Sequence, residues 1–331
     1  MILPLVIPKM TIGVSGQGCE MAKDLSELIS NIRVILKEPV EGFWTDKYLT
    51  VEINHAQTDL ALRLPADRLP KLQVTKKHNV VAGQSEYSLK PVAGIEGAVF
   101  VGAGKDEMDT GGNFTGISDM DFRVEITTGG ATSPNVFKWS EDGGITWTTG
   151  VNMTEEVQTL SNGVTVDFDG ITGYTVGDRW GFWARVTSLE ILKVVNIELN
   201  GVGCFHVPIK DIKKAKDSSY YNATADSPFS WLWGEKVNVK PVPSENALNG
   251  IEIMNIREPV ALVAGEDTPE ITSPHHSLIE KKVAGEAFAI HGDTQGDGLL
   301  RSYEDTVNGI VAKYSGIDKI DEPLTPPAGG G

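Results

Sequence analysis

Leu25, Leu28, Ile29, Ile32, Ile35 and Leu36 recur every three or four positions, a spacing that predicts an amphipathic helix starting near Asp24. Asp24 followed three residues on by Glu27 has the form of a capping box, and Pro39 stops the run. A second helix is expected after Thr45 as N-cap, with Leu49, Ile53, Ala56 and Leu60 on one face and Pro65 at its end. Towards the other end of the chain, Ser273 with Pro274 in the first turn opens a helix carrying Ile279, Val283, Ala287 and Ile290. A further helix carries Leu300, Tyr303, Val307, Ile310 and Tyr314.

Between these helical ends the period shortens. "KLQVTKKHNVVAGQSEYSLKP", from Lys71, alternates and turns at Ala82-Gly83, the pattern of a β-hairpin. From Val92 to Thr187 the chain is rich in Gly, Thr, Asp and aromatics, with candidate strands "DFRVEITT", "NVFKWS", "ITWTTG", "GVTVDF" and "RWGFWARV". Short strands this closely spaced predict a compact all-β, Ig-like sandwich. After Ser188, "LEILKVVNIELNGVGCFHV" reads as two strands about an Asn200-Gly201 turn, because Asn-Gly suits the positive φ values of a tight hairpin. A short helix from Ile209 to Lys216, the strands "FSWLWG" and "KVNVKPVP", and "IEIMNIREPVAL" complete the sheet-forming part. The expected fold is therefore α+β, a helical-bundle core with β-hairpins, built from residues 22–91 and 188–316 and interrupted by an inserted sandwich at 92–187. Residues 1–21 form a flexible extension in this scheme, and the Pro/Gly-rich tail 317–331 is not expected to fold alone.

Charge narrows the function classes. The 331 residues include 45 acidic and 29 basic side chains, for a net charge of -16, which argues against a surface built to neutralise phosphates. An acidic surface would instead let DNA pass without sticking. Cys19 and Cys204 match no metal or disulfide spacing. The start "MILPLVIPKM" lacks the basic n-region of a signal peptide, and no run approaches the roughly 20 apolar residues of a membrane span. The expectation is a soluble product of a cytoplasm, with no membrane partner.

Candidate chemistry is sparse. In "FKWSEDGGITWTTG", Ser140, Asp142, Gly144, Thr146 and Trp147 follow the order S-x-D-x-G-x-T-W, which resembles the Asp-box hairpin of sialidases and other β-rich proteins. In that motif Ser and Asp bond backbone groups of their own turn, so a single copy points to a stabilised hairpin, with Trp139 and Trp147 expected in the sandwich core. A glycan-binding or glycan-cleaving protein working through this module is the alternative. Asp293 to Glu304 matches an EF-hand loop at Asp293, Asp297, Gly298 and Glu304, but Gln295 and Arg301 occupy ligand positions, and a Gly-rich turn between helices accounts for the same residues. His275 and His276, with Glu280 and His291 nearby, lack H-E-x-x-H spacing, and adjacent helical residues point about 100° apart, so a surface role in the first turn is expected. Neither a P-loop nor a G-x-S-x-G elbow is present, and no catalytic residue, cofactor or metal is assigned. Trp231 and Trp233 alternate on one strand and suit either a core or a subunit interface, and the apolar N-terminus suits docking on a neighbouring subunit.

The ordered series "DLSELISNIRVIL", "FWTDKYLTVEINHAQTDLALRLP", "VVAGQSEYSL", "LEILKVVNIELNG", "VPIKDI", "VNVKPVP" and "DTPEITSPHHSLIEKKVAGEAFAIHGDTQGDGLLRSYEDTVNGIVAKY" resembles the head-to-tail adaptor, or connector, proteins of tailed bacteriophages. The middle segment resembles β-sandwich modules of phage tail and virion proteins. The resemblance implies a non-enzymatic ring, usually of twelve subunits in that family, at the neck of the virion. It would dock on the portal and on tail or neck proteins, with DNA passing through the lumen. It also implies that the C-terminal tail can reach into the portal, and Leu324, Pro326 and Pro327 in that tail are candidate portal or subunit-interface residues.

Overall fold

A computed structural model describes residues 22–38, 40–186, 190–213 and 223–314. The expected helical-bundle core with an inserted sandwich is not the fold. Seventeen strands in four sheets stand against four α-helices among the described residues, so the chain is mostly sheet. The error lies in strand pairing. Periodicity marks a strand but carries no information about its partner, and two of the pairings join residues more than a hundred positions apart.

The chain divides into two compact units, Met1–Gln57 with Val260–Asp305 and Thr58–Pro259 with Thr306–Gly331. The first is helical. Helix α1 (Leu25–Leu36) has the capping box that its sequence predicts: Asp24 accepts the Glu27 N–H at 2.8 Å, and Glu27 accepts the Asp24 N–H at 3.1 Å. Leu25, Leu28 and Ile32 form its buried stripe. Helix α2 (Asp46–Arg63), whose last turns belong to the second unit, starts at Thr45, and the Thr45 hydroxyl accepts the Tyr48 N–H at 3.2 Å. A 3₁₀ turn over Ser273–His275 leads into α3 (His276–Ile290), followed by α4 (Gln295–Tyr314), whose residues from Thr306 on belong to the second unit. Arg33 fastens the α1–α2 loop, donating to the Trp44 carbonyl at 2.8 Å, the Val40 carbonyl at 3.2 Å and Asp46 at 2.5 Å.

The second unit holds all four sheets. One has the order Gln73–Val80, Ala247–Arg257, Ile191–Leu199, Val202–Gly203; another runs Phe205–His206, Phe229–Trp233, Lys236–Lys240, Glu86–Ser88. The hairpin expected at Ala82-Gly83 is therefore absent: Gln73–Val80 pairs with Ala247–Arg257, and Glu86–Ser88 pairs with Lys236–Lys240. The two sheets share a core that includes Val80, Tyr87, Ile197, Val239 and Ile253. The hairpin at Asn200-Gly201 does form, with φ of 51° and 78°. Of the short helix expected from Ile209 to Lys216, a 3₁₀ turn spans Ile209–Asp211, and residues 214–216 lie outside the described set.

The other two sheets lie between residues 94 and 185. Gly94–Ile95 and Val99–Val101 both pair with Arg179–Arg185, which is followed in the sheet by Met120–Thr128, Val136–Ser140 and Thr148–Asn152. Met108–Gly112, Val164–Phe168 and Gln158–Thr159 make the three-stranded sheet. Alternation turns Phe122, Val124 and Ile126 to one side of their strand and Trp180, Phe182 and Ala184 to one side of theirs. All six enter a common core with Val164, Val166 and Phe168 of the smaller sheet.

Candidate functional site

The turn between Val136–Ser140 and Thr148–Asn152 is built by its own side chains. The Ser140 hydroxyl accepts the N–H groups of Asp142 at 3.2 Å and Gly144 at 2.9 Å, and donates to Asp142 Oδ1 at 2.6 Å. Asp142 accepts the Ile145 and Thr146 N–H groups at 2.9 Å and the Thr146 hydroxyl at 2.5 Å. Gly143 and Gly144 take φ of 77° and 96°, where a side chain is strained. The Trp147 indole donates to the Gly144 carbonyl at 2.9 Å. Hydrogen bonds from Ser140 first, then Thr146, hold the Asp142 carboxyl well below the usual carboxylate range. A carboxylate so engaged has no proton to give at neutral pH, and its acceptor capacity is spent within the turn.

The aromatics around the turn separate. Trp139, partly buried, packs against the edge of the core, and Trp147 is half-buried beneath the Lys138 ammonium at 4.3 Å, so neither is a fully buried core residue as expected. Trp231 and Trp233 part in the same way. Trp231 is 4% exposed and belongs to a small core with Val207, Ile212 and Phe229, whereas Trp233 is 64% exposed where its strand ends at Gly234. Leu324, Pro326 and Pro327 lie outside the described residues.

The EF-hand-like stretch is mainly helix. Asp293 accepts the Gln295 N–H at 2.9 Å, and everything from Gln295 to Glu304 is helical, so Asp297 and Glu304 stand two turns apart on α4. Among the described residues no group of three His, Cys, Asp or Glu side chains is gathered as metal ligands. His276 is buried, contrary to the surface role expected for it. Its Nδ1 accepts the Lys23 N–H at 3.1 Å, its Nε2 lies 2.9 Å from the Ile271 carbonyl, and Glu280 one turn on accepts Lys23 Nζ at 2.9 Å and Asn31 at 2.8 Å. This pair clamps the chain entering α1.

Sequence reasoning missed a polar seam within the second unit, where the strands ending at Val80 and starting at Ala247 meet the six-stranded sheet. Asn79 donates to the Gly181 carbonyl at 2.8 Å and accepts the Asn249 N–H at 2.9 Å. Asn249, at φ 54°, donates to Asp121 at 2.6 Å and accepts the Trp183 indole at 3.2 Å. Asp121 also receives Arg123 at 2.7 Å, both being buried. Alongside, Arg185 bonds the Lys77 carbonyl, Glu96 and Asp119. The available signal was the dipeptide Asn249-Gly250, which marks a positive-φ position inside an apparent strand.

Cavities also open among the described residues. One, of about 250 Å³, is lined by Lys193, Asn196, Cys204, His206 and Ser230, and the buried Ser230 hydroxyl has no hydrogen-bond partner. Burial pushes the Cys204 thiol up to about 12, so it stays protonated and unreactive at neutral pH. Another, of about 470 Å³, is lined by His78, Tyr87 and the 91–97 segment. The His78 Nε2 is buried without a partner, and burial, with Arg185 and Lys76 nearby, lowers its pKa to about 4. No helix among the described residues is long and apolar enough to cross a membrane. No protein-family model matches the chain, and no curated protein matches it significantly.

Proposed function

We propose that the protein is a structural ring subunit, joining the portal of a tailed-phage head to the tail and letting DNA through. The observation that carries this reading is the surface of the helical unit. Val34, Phe43, Val263 and Ile290 are large apolar side chains that it leaves exposed. Exposed apolar surface of this kind is what a subunit buries against neighbours, and head-to-tail contacts that close give rings. The ordered resemblance to connector proteins at both ends of the chain supports the same reading, and so does the net charge of -16, which repels rather than retains DNA. The assigned work is mechanical, and no residue is given a catalytic role.

Mass measurement of the purified protein, alone and with a portal protein, tests the proposal. A closed ring, formed alone or upon addition of portal, is the expected result. A chain that stays monomeric in both conditions overturns it.

A further inference from the structure

We propose that the cavity beside His78 is a binding site for a phenol, a flat apolar ring whose hydroxyl donates to His78 Nε2. The cavity, of about 470 Å³, lies wholly within the second unit and falls in the size range of small-molecule sites, roughly 300–1,000 Å³. Val81, Pro91, Ile95 and Val99 give it apolar walls. Val92, which also lines it, is 85% exposed and stands where the cavity opens to solvent. The backbone prepares this place. Gln73–Val80 keeps a regular register with Ala247–Arg257 up to His78 and slips before Val80, an irregularity that re-aims side chains and is common beside binding sites.

Among the described side chains around the cavity, one buried polar atom is unmet. The others are engaged within the protein: Asn79 with Gly181 and Asn249, Gln84 with the Glu86 carbonyl, Tyr87 with the Gln84 carbonyl, Ser88 with the Lys90 carbonyl and Glu96 with Arg185. His78, only 8% exposed, leaves Nε2 buried with no partner. A hydrogen bond with the Ser88 backbone favours the protonated ring, the sense expected when a backbone carbonyl accepts from a ring N–H. With Nε2 unpartnered, that N–H sits on Nδ1, and Nε2 presents a bare lone pair at neutral pH. A buried acceptor without a donor is costly, so a ligand that supplies one gains more than an ordinary surface hydrogen bond.

The surroundings select the donor. Arg185 and Lys76 act on the imidazole so as to oppose a further positive charge, which disfavours ammonium groups and metal cations at Nε2. In keeping with this, no group of three His, Cys, Asp or Glu side chains is gathered as metal ligands among the described residues. A neutral hydroxyl meets the need. A phenolic one, with a pKa of about 10, is more acidic than an aliphatic alcohol and donates more strongly, and nearby positive charge favours the negative charge that grows on its oxygen. Tyr87, 4% exposed and with its ring centroid 6.2 Å from that of His78, gives an aromatic ligand a ring to pack against.

The test titrates the full chain, its histidines labelled with heavy nitrogen, with phenol and with toluene. NMR of the ring nitrogens should show a saturable change at His78 Nε2 with phenol, the resonance being assigned by its loss in His78→Gln. Toluene, which has the shape without the hydroxyl, should bind about tenfold more weakly, the loss of one hydrogen bond to a buried group. Gly97 also lines the cavity, and a Cβ there would meet nothing within 4 Å, so the side chain of Gly97→Leu has room to close the space and should abolish phenol binding. Thermal unfolding checks that this variant is folded; if it is not, the comparison of phenol with toluene in the native chain still decides. Equal affinity for phenol and toluene overturns the proposal, as does a phenol response that folded Gly97→Leu leaves unchanged. His78 resonances that do not move with phenol, or that move only with zinc ions, overturn it too. None of these outcomes touches the proposed assembly, which is argued from the helical unit.

Discussion

The turn at Ser140–Trp147 and the seam at Asn79, Asp121, Arg123 and Asn249 are both held by hydrogen bonds, but they draw on the chain differently. Every donor and acceptor that shapes the turn from within comes from residues at most four apart. The seam joins residues up to 170 positions apart. A local device forms wherever its few residues occur in order. A seam exists only after four strands distant in sequence have been brought together, and its groups are desolvated in the process. The difference predicts that the turn tolerates change more readily than the seam, and that the two respond differently to pH.

The largest effect should come from Arg123→Ala. It leaves the Asp121 carboxylate buried with Asn249 as its remaining side-chain donor, and breaking a buried pair by removing one partner costs about 3–5 kcal/mol. Urea unfolding measures this. A loss below 1 kcal/mol would mean that the seam is wet and that the contrast with the turn fails.

Next comes the pH response at the edge of the seam. His78 has a folded pKa depressed from 6.5 to about 4, so between these values the unfolded chain binds the extra proton. Stability should therefore be undiminished by this group above pH 6.5 and fall as the pH drops towards 4, by about 3 kcal/mol in all. His78→Gln should flatten that part of the profile, and an unchanged slope would count against burial of the neutral ring. Asp119 adds a loss at lower pH: burial alone would raise its carboxyl, but Lys76, the Val186 N–H and Arg185 outweigh this and lower it. Asp142 is likewise depressed, so its contribution is intact above the ordinary carboxylate range and lost only below it. From pH 4.5 to 7 the turn should thus be silent while His78, beside the seam, titrates.

The smallest effect expected is that of Gly144→Ala. An added Cβ at φ 96° would lie 3.1 Å from the Trp147 ring, and the strained backbone costs about 1 kcal/mol. Thermal unfolding should show a modest fall in Tm. A loss as large as that of Arg123→Ala would erase the distinction between local and distant devices.

Legibility in the sequence follows the same divide. The α1 capping box, the Thr45 cap, the Asn200-Gly201 hairpin and the Asp142 turn were all readable, because each is decided by residues a few positions apart. The hairpin read at Ala82-Gly83 was wrong because Gln73–Val80 and Glu86–Ser88 are both genuine strands whose partners lie far along the chain. Trp231 and Trp233 look alike in sequence, and only the end of the strand at Gly234 leaves one of them in water. His276 appeared as a surface residue because nothing local shows that Lys23, more than 250 positions away, will cover it.

By itself the sequence determined where α1 and α2 begin, where the longer strands such as Met120–Thr128 and Arg179–Arg185 run, and that one turn would fasten itself with Ser140 and Asp142, since these depend on backbone geometry and neighbouring side chains. The short strands Gly94–Ile95, Val99–Val101, Met108–Gly112 and Gln158–Thr159 carried no such signal. Only the tertiary structure decided which strands pair, that sheets rather than a helical bundle dominate, and that Asp121, Arg123, Asn79 and Asn249 meet. Burial against distant partners sets those outcomes, and its energy depends on contacts that no local pattern encodes.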